Sequence, residues 1–422
     1  MFLHIDIDCF FISAERSINP KLLNRPAAVG SRSNLEIFSK NRRNIKLIDI
    51  NSGAFVTPVF HSDFNRTFEN YFIDKIDNRD KIRGIITTSS YEARAYGVKT
   101  GMPIAQALKL CPDMIVVPSN YPLYHKLSKS IYIYLKRKIP QLEQYSIDEF
   151  FGSVDGWIDE TNIEEFAKEI KQELYDKFKI PVSIGIANAK YIAKLATNEA
   201  KPFGVCYVKN HHEFIKNIPI EKFAGIGKGF SKKLHAYGIK TLGDICKNRE
   251  LLYRWKLPGI ELYNRVCTQN SGEIAKKEPK KSIGLSRTFD TIHDRNEIKR
   301  RVIIMARHIA YMVNKAQVNP IRFELKINYA DGSKQKAGIK TDRTFSEQLL
   351  KESLTQLLKE TWQENRGAIK LRVSVSNFSN NKKQTLSLID IDKDLKQQKL
   401  DSAISKLRSN FGIDILKNGN EI

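Results

Sequence analysis

Cysteine is scarce in this 422-residue chain: Cys9, Cys111, Cys206, Cys246 and Cys267 are scattered, odd in number, and form no CxxC pair. That usage argues against a disulfide framework and against a structural zinc site. Long apolar runs are missing too, and no stretch approaches the ~18 consecutive apolar residues of a membrane span. The opening MFLHIDIDCFFISAE carries acids where a secretory signal needs a basic start and a long apolar stretch. Negative charge is in deficit, with 47 Asp and Glu against 70 Lys and Arg, a formal net charge of +23. These absences describe a soluble, reduced, cytoplasmic protein with a polyanionic partner. The 41% of hydrophobic residues is too high for a disordered polycation, and the length suits about three domains.

The basic excess is uneven. Residues 1–230 carry 32 basic and 26 acidic groups, whereas residues 231–422 carry 38 and 21. A nearly balanced first half fits an enzymatic core that retains carboxylates, and a basic second half fits a grip on phosphates. Lys276, Lys277, Lys280 and Lys281 around Pro279 read as a linker.

Hydrophobic periodicity predicts strands at 2–8, 26–31, 142–154 and 182–187 and helices at 10–18, 102–111, 121–138, 162–178 and 189–200. This alternation suggests an α/β core with a mixed sheet. Residues 209–275 read as all-helical with Gly-rich turns. Strands at 282–289, 320–329 and 368–378, with helices at 294–315 and 346–362, read as a small α+β domain, followed by a short helix around Leu400–Phe411.

Asp6 and Asp8 fall on one face of the first strand, and Asp148 and Glu149 lie in YSIDEFF beside an apolar strand. Buried acids are costly unless paired or bound to a cation. Acids on two strands of one sheet can converge on hard divalent cations, which suits two-metal activation of a 3′-hydroxyl and a leaving pyrophosphate. The alternative is that they are strand-end caps or ion-pair partners. A second cluster suits a triphosphate: Tyr91 and Arg94 stand three apart in SSYEARAYG, and Lys201 closes a segment that also holds Lys190 and Lys194. The third constellation, FAGIGKGFSKKLHAYGIKTLG (223–243), has the form of a helix-hairpin-helix. Its glycines let backbone N–H groups approach a DNA phosphate without reading bases.

In order and spacing, HIDIDCFFISAE, SYEARAYGVKTGMPIAQALKLCP, YSIDEFF, SIGIANAKYIAKLATNEAKPFGV, GIGKGFSKKL and KSIGLSRTF resemble the motifs of Y-family, lesion-bypass DNA polymerases, nearest the bacterial DNA polymerase IV-like branch. The resemblance implies an α/β and α+β right-hand polymerase. Its palm would be 1–11 and 115–208, its fingers 12–114 with an insertion at about 33–83, and its thumb 209–275. A linker at 276–282, a little finger at 283–378 and a tail at 379–422 complete it.

The implied activity is template-directed addition of deoxynucleotides to a primer 3′ end, with low processivity and an active site open to damaged templates. Asp6, Asp148 and Glu149 would be the metal-binding catalytic carboxylates, with the Ile7 carbonyl as a further ligand of two Mg²⁺ ions or of Mn²⁺ in their place. Asp8 fits a structural role better. Phe11 would stack under the incoming sugar and exclude a 2′-hydroxyl, while Phe10 points to the core. Tyr91, Arg94 and Lys201 would hold the triphosphate. The implied partners of this monomer are primer-template DNA, deoxynucleoside triphosphates and a sliding clamp, the last through Gln384–Ile389, which is similar to clamp-docking peptides; a further strand is the other reading of that segment.

The insertion is the departure from the family pattern. It carries Phe38, Phe55, Phe60, Phe64, Phe68, Tyr71 and Phe72, so it is expected to fold, either as a cover or partner surface for the fingers or as an inert elaboration. A catalytically silent, polymerase-like scaffold is the competing function, and it would be expected to lack the acids that are present here.

Overall fold

A computed structural model describes residues 1–39, 46–48, 59–61, 66–76, 79–268, 272–275, 280–379, 391–417 and 419–421. They fall into two units, one holding Met1–Ser31 and Asn65–Glu278, the other Arg32–Asp49, Pro58–Phe64 and Pro279–Ile422. No helix among the described residues is long and apolar enough to cross a membrane.

The chain opens with β1 (Phe2–Ile7), α1 (Phe10–Ile18) and β2 (Ala27–Ser31). The insertion adds an antiparallel pair, β3 (Lys46–Ile48) and β4 (Val59–His61), then α2 (Phe68–Phe72) and a second pair, β5 (Ile73–Ile76) and β6 (Arg79–Ile82). After it come β7 (Ile85–Ser89), α3 (Tyr91–Ala95), α4 (Ile104–Leu110), β8 (Ile115–Pro118) and α5 (Tyr121–Lys138). The stretch ends with β9 (Gln141–Gln144), β10 (Glu149–Ser153), α6 (Ile163–Phe178), β11 (Val182–Ala187), α7 (Lys190–Ala200) and β12 (Val205–Tyr207).

Five strands form a mixed sheet in the order β12-β11-β1-β10-β9. β1 and β11 are buried along their whole length, as expected of central strands covered on both faces. On one face Leu3, Ile5 and Ile7 enter a core with Ile131 and Leu135 of α5 and Ile170 and Leu174 of α6. Helix α7 lies on the other. Gly185 makes that approach possible, because a Cβ there would stand 2.0 Å from the Ala193 carbonyl oxygen. A separate three-stranded sheet, β7-β2-β8, carries the fingers motifs. Residues 115–118, expected in the palm, pair with β2 in that sheet, so the five-stranded sheet resumes only after them.

The helical segment comprises α8 (His211–Ile215), α9 (Lys228–Ala236), α10 (Leu242–Lys247), α11 (Arg249–Arg254) and α12 (Leu257–Cys267). Here one expectation is corrected: Cys246 and Cys267 form a disulfide between α10 and α12. Their separation of 21 residues matches no motif, and only the packing of the two helices brings their Cα atoms within 5.5 Å. Cys9, Cys111 and Cys206 are free.

The second unit contains β13 (Ser282–Ile292), α13 (Arg295–Ala316), β14 (Asn319–Tyr329), β15 (Lys334–Lys340), α14 (Glu347–Thr361), β16 (Ala368–Ser379) and α15 (Ile391–Phe411). Its sheet runs β13-β16-β14-β15. One face packs on α13 and α14, with Phe323, Leu325, Ile327, Leu371, Val373 and Val375 in the core. Hydrophobic periodicity does not reveal β15, whose inward positions include only Ala337 and Ile339 as apolar residues, both half-buried. Ile37 and Phe38 of the insertion are buried in this same core, so that part of the insertion is built into the second unit rather than the fingers. The terminal helix is longer than the expected 400–411, and the residues after it are anchored. Arg307, 1% exposed, pairs with Asp414 at 2.8 Å and Glu421 at 2.7 Å. Lys276, Lys277 and Pro279 of the linker and the segment Gln384–Ile389 lie outside the described residues.

Candidate active site

The strand register brings the acids together. Asp6 of β1 stands opposite Glu149 of β10, and the Ile7 N–H donates to the Asp148 carbonyl at 2.9 Å. Alternation along β1 turns Asp6 to the face covered by α7. From that helix and its C-cap three lysines reach three acids: Lys190 to Glu143 at 2.6 Å, Lys194 to Glu149, and Lys201 to Asp6 at 2.7 Å. Ser146 donates to the Asp148 carboxylate.

Burial pushes the Asp6 carboxyl up to about 7; the Lys201 ammonium opposes this, and the neighbouring Asp148 and Glu149 charges add to it. Asp148 is also raised, chiefly by burial. Burial and neighbouring negative charge thus disfavour the ionised forms of Asp6 and Asp148 without cations, and Lys201 supplies part of that positive charge. His4 lies beneath them, with Nδ1 2.8 Å from Thr197 Oγ1. Burial, then Lys194, Lys201 and Lys190, hold its pKa well below the ordinary value, so it is neutral, and its Nε2, 3.8 Å from Glu149, forms no ion pair.

Among the described residues no three His, Cys, Asp or Glu side chains are gathered tightly enough to hold a metal as they stand. Lys201, Lys194 and Ser146 each pair with one carboxylate of the expected set. The donors themselves, carboxylate oxygens at coupled positions, are of the hard type that Mg²⁺ takes.

Tyr91 and Arg94 stand on the short α3, started by the Ser90 cap, with the guanidinium 5.1 Å from the Tyr91 ring. The Tyr91 hydroxyl donates to Asp8 Oδ1 at 3.0 Å, and Arg94 Nε donates to the Ser89 carbonyl at 3.1 Å. The half-buried Phe11 stacks on Tyr124 with ring centroids 4.4 Å apart and planes 12° from parallel, while Phe10 is 3% exposed in the core. Asp8, 1% exposed, has no lysine or arginine partner among the described residues and accepts three hydrogen bonds instead. The pairing of Lys190 and Lys194 with Glu143 and Glu149 is not legible in the sequence. The four-residue spacing of the lysines is visible there, but the face that α7 covers is not.

Two further surfaces carry cations. In the helical segment Gly225 has φ 104°, and Gly227 precedes α9, whose first turn receives no side-chain cap. On the solvent face of the second unit's sheet, Lys336, Lys326 and Arg372 stand side by side across three strands, with Lys340 opposite Arg322. Glu324 pairs with Arg322 and Lys336 on that face. Like charges directly opposite destabilise a sheet, so this row is suited to a polyanion that offsets the repulsion.

The sequence profile of the impB/mucB/samB family matches residues 69–198, and that of the impB/mucB/samB family C-terminal domain matches residues 280–388. The chain is 28% identical over 386 residues to the DNA polymerase IV of Lactococcus lactis subsp. cremoris (strain MG1363), covering 89% of this chain and 93% of that protein. It is 29% identical over 344 residues to the DNA polymerase IV of Staphylococcus epidermidis (strain ATCC 12228 / FDA PCI 1200), covering 79% and 83%. Among solved structures, a Y-family DNA polymerase chimera, Dbh-Dpo4(243-245)-Dbh, superposes with a TM-score of 0.70 at 25% identity, covering 90% of this chain and 99% of the chimera. With both family profiles matched in order over more than half of the chain, and relatives aligned across most of it, this chain belongs to the impB/mucB/samB family of Y-family DNA polymerases.

Proposed function

We propose that the chain is a template-directed DNA polymerase of the translesion type, adding deoxynucleotides to a primer 3′ end. The observation that carries this reading is the convergence of Asp6, Asp148 and Glu149 on the face that also presents Lys194 and Lys201. Asp6, Asp148 and Glu149, with the Ile7 carbonyl, would hold divalent cations, Mg²⁺ or Mn²⁺. When bound, these supply Lewis-acid activation of the 3′-hydroxyl and charge stabilisation of the leaving pyrophosphate.

The chain's own residues do the rest. Lys201 and Arg94 neutralise the triphosphate, and Tyr91 shapes the wall beside it. Lys201 leaves Asp6 as the nucleotide enters, exchanging a carboxylate for a phosphate oxygen. Phe11, backed by Tyr124, closes the space that a ribose 2′-hydroxyl would occupy. The turn before α9 and the cationic sheet face grip backbone phosphates, which gives affinity without base preference. In this reading the palm, fingers, thumb and little finger would divide as the sequence motifs imply, with residues 115–118 moved to the fingers sheet and residues 32–39 to the second unit. The enzyme acts as a cytoplasmic monomer with low processivity, and Gln384–Ile389 tethers it to a sliding clamp.

Primer extension with dNTPs and Mg²⁺ on intact and damaged templates tests the reading. Asp148→Ala and Glu149→Ala should each abolish extension while DNA affinity stays within about twofold, because that affinity comes from Lys and Arg. Extension retained by either variant refutes the assignment.

A further inference from the structure

Asp8 follows the last residue of β1, and its carboxylate is shared among three elements. Oδ1 accepts from the Tyr91 hydroxyl of α3 at 3.0 Å. Oδ2 accepts from Ser183 Oγ of β11 at 2.9 Å and from the Phe203 backbone N–H at 2.8 Å. Its own backbone is fixed as well: Asp8 N–H donates to the Pro181 carbonyl at 3.0 Å, and Ser13 Oγ donates to the Asp8 carbonyl at 2.5 Å.

Three donors on a carboxylate that is 1% exposed satisfy a buried charge without a cation. This sets Asp8 apart from Asp6, whose carboxylate is held by a displaceable lysine. The donors are also informative. Tyr91 and Lys201 are both assigned to the triphosphate, and Phe203 is two residues beyond Lys201. Phe203 has φ 49°, a left-handed conformation costly for a side chain of this kind, and the bond to Asp8 helps to hold it there. Burial first, then the Asp8 charge, push the Tyr91 hydroxyl well above its ordinary pKa, so it stays a donor.

We propose that Asp8 is a positioning residue for nucleotide binding, fixing Tyr91 from one side and the Lys201 turn from the other. This rests on the polymerase reading and on the triphosphate roles of Tyr91 and Lys201. Asp8→Asn keeps the shape but gives one oxygen in place of two, and its NH₂ faces donors. Loss of a charge-assisted hydrogen bond should raise the dNTP KM by at least about tenfold, with kcat changed by less than about threefold.

Tyr91→Phe removes the same bond from the other end and should raise KM similarly. The double variant should show less than the sum of the two effects, because both changes break one shared link. A role confined to folding would lower the melting temperature and the active fraction while leaving the dNTP KM unchanged, and that result overturns the proposal. Additive effects of Asp8→Asn and Tyr91→Phe also overturn it, since they would mean that Asp8 does not act through Tyr91. Should Asp8→Asn not fold, Ser183→Ala carries the test, with an expected KM rise of about two- to fivefold, the scale of one neutral hydrogen bond, and an unchanged KM again refutes the idea. Wild-type extension and its loss in Asp148→Ala, measured alongside, report on the polymerase reading separately.

Discussion

The guanidinium of Arg301 lies 4.7 Å from the ring of Phe38, a residue of the insertion held in the core of the C-terminal unit. Arg300 Nη2 donates to the Phe38 carbonyl at 2.9 Å, Arg287 Nε to the Asn34 carbonyl at 3.0 Å, and Ser33 Oγ accepts from the Thr288 N–H at 3.1 Å. The segment therefore docks along β13 and the start of α13 by backbone and side-chain bonds together. Phe38→Ala should destabilise the C-terminal unit by about 3 kcal/mol, on the scale of a buried Phe truncation. Denaturant unfolding followed by a probe in that unit measures this, and an unchanged midpoint contradicts the docking. A fragment ending at residue 278 would expose Ile37 and Phe38, because the core that buries them is built from residues beyond 282.

Acid should loosen the same junction. Burial alone would raise the Glu297 carboxyl, but hydrogen bonds and charge from Arg300 and Arg301 outweigh it and hold its pKa below the ordinary 4.5. Folded Glu297 thus binds fewer protons than unfolded Glu297, so its stabilisation is present above pH 4.5 and is lost as pH falls through the folded value. The stability difference between wild type and Glu297→Gln, about 1 kcal/mol near neutrality, should shrink towards zero in acid melts. A constant difference would rule out the ionised pair as its source.

Phe11→Ala should admit ribonucleotides. The ring is fixed by its stack on Tyr124, whose hydroxyl donates to Glu15 at 2.6 Å. Truncation opens the space beside the sugar, and rNTP incorporation relative to dNTP should rise by about 10- to 200-fold, the range of one group's fit in a pocket. Equal discrimination in single-nucleotide kinetics would show that another residue guards the sugar.

The cationic sheet face separates affinity from stability. Replacing Lys326 by Gln relieves the repulsion from Lys336 and Arg372 on either side of it, so the melting temperature should hold or rise. Primer-template affinity should nonetheless fall, and the slope of log K against log salt should become shallower by about 0.9 for each phosphate that is no longer neutralised. Unaltered affinity at low salt would exclude this face from the DNA grip.

Much of this protein is legible in its sequence because local signals and tertiary structure agree. The 3.6-residue spacing of Leu123, Leu127, Ile131, Tyr134 and Leu135 marks α5 and the side it packs, with Ile131, Tyr134 and Leu135 buried and Leu123 and Leu127 partly so, and the apolar flanks of Asp6 and of Asp148–Glu149 mark central strands. The acids, Tyr91 and Arg94 of α3 and the glycine turn before α9 lie in contiguous motifs, so composition and spacing expose them. What stays hidden depends on which surfaces meet. The lysine-to-carboxylate pairing exists because Gly185 lets α7 lie on β11, the Cys246–Cys267 bond because α10 and α12 pack together, and the burial of Phe38 because a segment between fingers motifs completes a core built from residues beyond 282. Asp6 and Asp8 show the division most sharply. Two residues apart in one motif, they are chemically identical in the sequence. Only the fold gives one a lysine partner and the other three hydrogen-bond donors, because a side chain's role is set by the partners that burial forces upon it.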